Sequence, residues 1–303
     1  MSLAAAPDPA LPYVDRKRHA WVLALAGLGP VLYGAWPHML MLWLPVIFVY
    51  CVAPLIDLAL GADTSNPPEH AVPRLEADLY YRYVTYALVP LLWAAFVYGA
   101  WSCVRRPLPW DGRLAVVMTT GMVGGFCINL GHEMGHKKSR LERWLAKIVL
   151  APTFYGHFAI EHNRGHHRDV ATAADPASSR TGEGIWTFVL REMPGAFRRA
   201  WQLERARMNV DSLPFWSLHN ELLQPALITT ALWTSLALWL GPNVLVFLVL
   251  AFALMDARLA AAVHSHATRI NFSPRRRAAL IRRHGLVDFP AATPAEGAHD
   301  SPT

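Results

Sequence analysis

The chain has 303 residues, of which 53% are hydrophobic and only 17% charged, with twelve tryptophans and a mean hydropathy of +0.22. Soluble domains carry about a quarter charged residues, so an ordinary soluble enzyme is excluded as a class. The net charge of +6 and pI of 9.4 do not indicate nucleic acid, because the basic residues sit beside apolar runs, where they suit anionic lipid headgroups.

In chain order, residues 20–36 and 39–60 are apolar runs parted only by Pro37-His38. Each approaches the roughly 20 residues that cross a bilayer, and together they predict a helical hairpin. Residues 84–104 form a third span and 114–130 a fourth. A fifth and sixth, 225–240 and 243–256, are divided at Gly241-Pro242. These two are short, which favours little tilt or a locally thinned bilayer. Residues 144–160 are apolar too, but they lie between two histidine-dense stretches and are expected to form a re-entrant or interface-lying helix. The fold class is therefore all-α, a polytopic membrane bundle of about six transmembrane helices.

Orientation follows from basic residues in short loops. Arg16, Lys17 and Arg18 precede the first span, and Lys137, Lys138, Arg140, Arg143 and Lys147 follow the fourth. Both sets belong in the cytosol, while Arg105, Arg106 and Arg113 in the intervening loop run against that assignment. The chain is expected to cross a membrane several times, with the histidines at the cytosolic end. The first apolar run leads straight into a second, so it reads as an anchor rather than a cleaved leader. Cys51, Cys103 and Cys127 stand singly in apolar runs and read as small hydrophobes.

The chemistry lies in Gly131-His132-Glu133-Met134-Gly135-His136-Lys137 and Glu161-His162-Asn163-Arg164-Gly165-His166-His167-Arg168. His132 and His136, four apart on a helix, share one face about 6 Å apart, close enough for one metal ion. His162 and His166 repeat that spacing, and His167 could face a neighbouring metal if Gly165 lets the helix end. Neutral imidazoles suit iron, zinc and copper alike. Five histidines without cysteine exceed the usual zinc set and favour two metals. Two irons with open positions could activate dioxygen against an inert C–H bond. A rival reading takes His132-Glu133-Met134-Gly135-His136 as H-E-x-x-H, two zinc ligands with a glutamate base, hence a membrane zinc protease. It leaves the second histidine stretch unexplained.

These stretches, with Asp63-Thr64-Ser65-Asn66-Pro67-Pro68-Glu69, Asp175-Pro176-Ala177-Ser178-Ser179-Arg180 and Trp216-Ser217-Leu218-His219-Asn220-Glu221, resemble the integral-membrane alkane 1-monooxygenases over residues 10–256. The histidine boxes alone are shared with fatty-acid desaturases and xylene monooxygenase-type hydroxylases. The resemblance implies a six-span bundle with a cytosolic cap holding two irons on His132, His136, His162, His166 and His167. It further implies terminal hydroxylation of medium-chain n-alkanes with O2, with electrons from rubredoxin and rubredoxin reductase.

Residues 1–256 are accordingly read as an incomplete membrane-embedded alkane hydroxylase-like domain, and 257–303 as an atypical Ala/Arg-rich, disordered tail. Two further histidine segments of the family have no counterpart in that tail. The expectation is a truncated or frame-shifted member, for which an inactive metal-binding membrane protein is the alternative. His264, His266 and His284 in the tail read as solvated rather than as replacement ligands. Glu133 and Glu161 are expected to orient neighbouring imidazoles, and His157 and His219 to be hydrogen-bonded surface histidines. His38 and His70 read as loop residues. Asp57, near the end of the second span, reads equally as a buried functional carboxylate or a solvated one.

Overall fold

A computed structural model of the chain describes residues 39–60, 68–170, 172–180 and 183–253. Among them every regular element is a helix and no strand occurs. The span expected at 20–36, Asp63 to Pro67 of the first loop, the side chain of Asp57 and the tail from 257 lie outside the described residues.

The chain divides into two compact units, Met1–Thr120 and Gly121–Thr303. In the first, residues 39–60 are continuously helical: α1 (Met39–Ile47), a π-helical turn (Phe48–Val52) and α2 (Ala53–Leu60). Pro45 and Pro54 each remove a backbone donor from this stretch, and the wide turn lies between them, where the α-helical ladder is already interrupted. A short helix, α3 (Val72–Ala77), leads to α4 (Leu79–Arg105), which starts where Asp78 accepts a hydrogen bond from the Tyr80 amide at 2.9 Å. α4 is apolar all round, the pattern of a helix surrounded by lipid or protein on every side.

α5 (Trp110–Gly135) begins in the first unit and ends in the second. α4, α5 and a later helix, α10 (Leu223–Leu240), are long and apolar enough to cross a membrane, while residues Leu42–Ile56 and α11 (Val244–Ala253) are shorter apolar helices. Each described segment of the sequence-predicted spans is thus helical. The break at Gly241 is present as well: its φ of +94° is open to glycine and strained for other residues.

The second unit builds the histidine-bearing end. After α5 come α6 (Arg140–Leu150), a 3-10 turn (Ala151–Thr153), α7 (Phe158–Ile160), a π-helical turn (Glu161–His166) and α8 (His167–Asp169). The single helix expected over 144–160 is therefore broken. Pro152 cannot continue α6, and Phe154 takes a left-handed conformation, φ 55°, that closes the 3-10 turn. α6 is amphipathic and buries Ala146, Val149 and Leu150. α9 (Ile185–Val210) turns inward Phe188, Glu192, Ala196, Arg199, Ala200, Glu204 and Met208, a helical stripe in which three charged groups replace apolar ones. α10 fastens to the 3-10 turn through Thr229 Oγ1, which donates to the Ala151 carbonyl at 2.9 Å.

Candidate metal centre

Two helical ends deliver the histidines. His132 and His136 occupy the last turn of α5, as their spacing predicts. Gly131 allows this end to sit against α6: a Cβ there would stand 2.6 Å from Leu150 Cγ. The second set comes from the π turn, whose wider winding changes the register. His162 and His167, five apart, come to the same side, their Nε2 atoms 3.0 Å apart. His166, the expected i, i+4 partner of His162, still stacks beside it, whereas Gly165 does not end the helix, since α8 follows directly. Asn163 ties the two sets together by donating to the Gly135 carbonyl at 3.3 Å and to the Ala159 carbonyl at 3.0 Å.

His132, His136, His162 and His167 each place one ring nitrogen within 4.8 Å of the others. Nε2 of His136 lies 3.0 Å from that of His132 and 3.4 Å from that of His167. An imidazole Nε2 offers either one hydrogen or one lone pair. The chain of contacts 132–136–167–162 therefore cannot be three N–H···N bonds; at most two can form. A cation between neighbouring rings would resolve the conflict, because donors about 2.1 Å from one ion sit about 3 to 3.4 Å from each other, the spacing of these three contacts. The residues thus fit a metal ion. His132 and His162 are half-buried and His136 and His167 exposed, which leaves one side open to small molecules.

Burial and the facing imidazoles push His162 down to about 2, so its ring is held neutral with a lone pair to donate. Phe158 stacks on it at 4.9 Å. His166 stands beside the four, its ring 5.4 Å from that of His162. Its Nδ1 is 2.9 Å from Oδ2 of the buried Asp175. Burial disfavours the charged ring of His166, but the Asp175 hydrogen bond and charge outweigh it, and its pKa is raised.

Behind the π turn lies a buried charge network. Arg199 donates to Asp169 at 2.5 Å and Asp175 at 3.3 Å, and faces Glu161 at 3.7 Å. Burial, with the Asp175 charge next, pushes the Glu161 carboxyl up to about 7. On the other side Arg164 pairs with the fully buried Glu204 at 2.9 Å and with Glu221. Glu204 also accepts from Arg207 and from the Glu221 amide, each at 2.6 Å. The Trp216-to-Glu221 motif contributes Glu221 and the His219 carbonyl to this network. Of the expected orienting groups, Glu161 lies in it, whereas Glu133 forms an exposed ion pair with Lys137 at 2.7 Å.

His219 is exposed, its carbonyl accepting from Arg207, and His70 is exposed too. His157 departs from the hydrogen-bonded surface reading. It lies against Tyr155 and Phe197, its buried Nε2 has no hydrogen-bond partner among the described residues, and burial pushes it down to about 4. Sequence reasoning misses Asp175 as a partner of His166, although Asp175 opens the Asp175-to-Arg180 motif. It also misses Arg199 and Glu204, whose only signal is charge on the buried stripe of α9.

The apolar spans and the converging histidines define a helical membrane protein with a metal-binding end. Residues 109–289 match the fatty acid desaturase family, and the chain belongs to that family. It is 48% identical over 250 residues to alkane 1-monooxygenase 1 of Alcanivorax borkumensis, covering 80% of this chain and 61% of that protein. It is 46% identical to alkane 1-monooxygenase of Pseudomonas putida and 45% identical to that of Ectopseudomonas oleovorans, each over 251 residues. Those matches take in 81% of this chain and 62% and 63% of the relatives. The chain thus spans less than two thirds of the length of these relatives.

Proposed function

We propose that the chain is a membrane monooxygenase of the di-iron type that hydroxylates the terminal carbon of medium-chain n-alkanes with O2, taking electrons from rubredoxin and its reductase. The observation that carries the reading is the convergence of His132, His136, His162 and His167 at one end of an apolar span. The relatives named alkane 1-monooxygenase, at 45 to 48% identity, supply the reaction. These four side chains and His166 are the proposed iron donors. Bound iron would supply the activation of dioxygen that an unreactive C–H bond requires.

The chain's own residues supply the rest. Burial and mutual repulsion keep His162 deprotonated, and Phe158 holds its ring plane. Asn163 and the Arg164–Glu204 pair fix the π turn against α5 and α9, so the donors are ordered before an ion arrives. The open side at His136 and His167 admits a small molecule, and the apolar spans bring a lipid-dissolved chain to that end. The inner membrane, with the histidine end in the cytosol, is part of the same proposal.

The test is the full chain in detergent or lipid discs, loaded anaerobically with Fe2+ and supplied with NADH, rubredoxin, rubredoxin reductase and a medium-chain n-alkane. Expected are bound iron and the 1-alcohol by gas chromatography, with loss of product in His132→Ala and His167→Ala. Bound zinc with peptide cleavage, or iron-loaded chain that forms no alcohol, overturns it. The zinc-protease reading is disfavoured because it gives no role to His162 and His167, which join His132 and His136 in one group.

A further inference from the structure

His166 is the histidine of the second box that does not join the group of four, and its surroundings are built differently from theirs. Asp175 accepts from four directions. Its Oδ2 is 2.9 Å from His166 Nδ1 and 2.6 Å from Ser178 Oγ, while its Oδ1 meets the Ala177 amide at 3.1 Å and Arg199 Nη1 at 3.3 Å. Its side chain is wholly buried. Arg199 is itself immobilised by Asp169, by the Ala174 carbonyl at 3.1 Å and by close approach to Gly165, where a Cβ would stand 2.9 Å from its Nε. The carboxylate is therefore held through both oxygens, and one of them anchors the His166 ring.

We propose that Asp175, clamped by Arg199, is the positioning residue that commits His166 to metal binding. By accepting from Nδ1–H it fixes the tautomer in which Nε2 carries the lone pair, and it raises that nitrogen's basicity. The other four histidines have no carboxylate among the hydrogen-bond partners described for them; they are ordered by each other and by Phe158. His166 thus enters the site as the one donor set from outside the cluster. The inference rests on the reading of His166 as a metal donor.

The experiment uses the full chain, stripped of metal in detergent and titrated with Co2+, with visible absorption reporting both affinity and ligand geometry. Asp175→Asn and Asp175→Glu are expected to weaken Co2+ binding about 10- to 100-fold and to shift the d–d bands, as lost orientation of a metal-bound histidine does. Melting of the metal-free protein should change far less in Asp175→Glu, which retains the charge facing Arg199. Should Asp175→Asn fail to fold, Asp175→Glu alone decides. Wild-type Co2+ affinity and spectrum in the Glu variant, with affinity lost in His166→Ala, overturn the positioning role. Wild-type binding in His166→Ala overturns instead the assignment of His166 as a donor.

Discussion

Glu192 faces inward from α9, and burial, reinforced by the charge of Glu161, pushes its carboxyl up to about 7 from an ordinary 4.5. Between those values the folded protein keeps a proton that the unfolded chain has released. Stability therefore falls as pH rises from 4.5 to about 7, and the full penalty of about 3 kcal/mol is present above that. Glu192→Gln should melt higher than wild type at pH 8 and nearly the same at pH 4.5; equal melting at pH 8 refutes the burial argument. Gly165 gives a second residue-scale case. Gly165→Ala drives a methyl into the Arg199 guanidinium, which is pinned by carboxylates, so a loss of about 1 to 3 kcal/mol is expected. Weaker Co2+ binding should accompany it, and a melt unchanged from wild type would contradict the packing. At this scale His132 and His136 were legible because an α-helix repeats every 3.6 residues and both lie on one. The pairing of His166 with Asp175 was not, since it is made across a turn by tertiary folding, and Arg199 carries no motif at all.

The elements show where periodicity stops informing. Helices α4, α5 and α10 are written in hydropathy, and Gly241-Pro242 marks the end of one of them in plain chemistry. A π turn differs from an α turn by one residue per hydrogen-bonded ring, and nothing in Glu161-His162-Asn163-Arg164-Gly165-His166 announces which ring closes. What selects it is outside the segment: Arg199, Glu204 and Gly135 offer partners that the wider turn meets. The same limit explains residues 144–160, where an apolar average concealed a proline and a left-handed phenylalanine. The seat of α6 on α5 yields a coupled prediction. Gly131→Ala clashes with Leu150, and Leu150→Ala leaves a cavity costing about 2 to 5 kcal/mol. The double variant should lose less than the sum of the two, because the cavity receives the methyl. Additive losses in thermal melts would show that α6 does not rest on Gly131.

For the molecule as a whole, family membership and three helices long and apolar enough to cross a bilayer make this a membrane protein, and the chain should remain in the pellet after alkaline carbonate extraction. Sidedness is tested by one cysteine. In a background lacking Cys51, Cys103 and Cys127, Lys138→Cys lies in the exposed loop between α5 and α6 and should react with a membrane-impermeant maleimide only in inverted vesicles. Labelling from the periplasmic face would reverse the orientation that the basic residues imply.

The four converging histidines are drawn from residues 132 to 167, and the groups that brace them end at Glu221. Their mutual contacts close short loops, whose entropic cost is small, and none waits for α10 or α11 to form. During synthesis the donor cluster can therefore come together while the last described spans are still leaving the ribosome. An ion captured at that moment would lock the donors that these contacts have already ordered, so starving the cell of metal should lower the yield of inserted protein and not merely its occupancy.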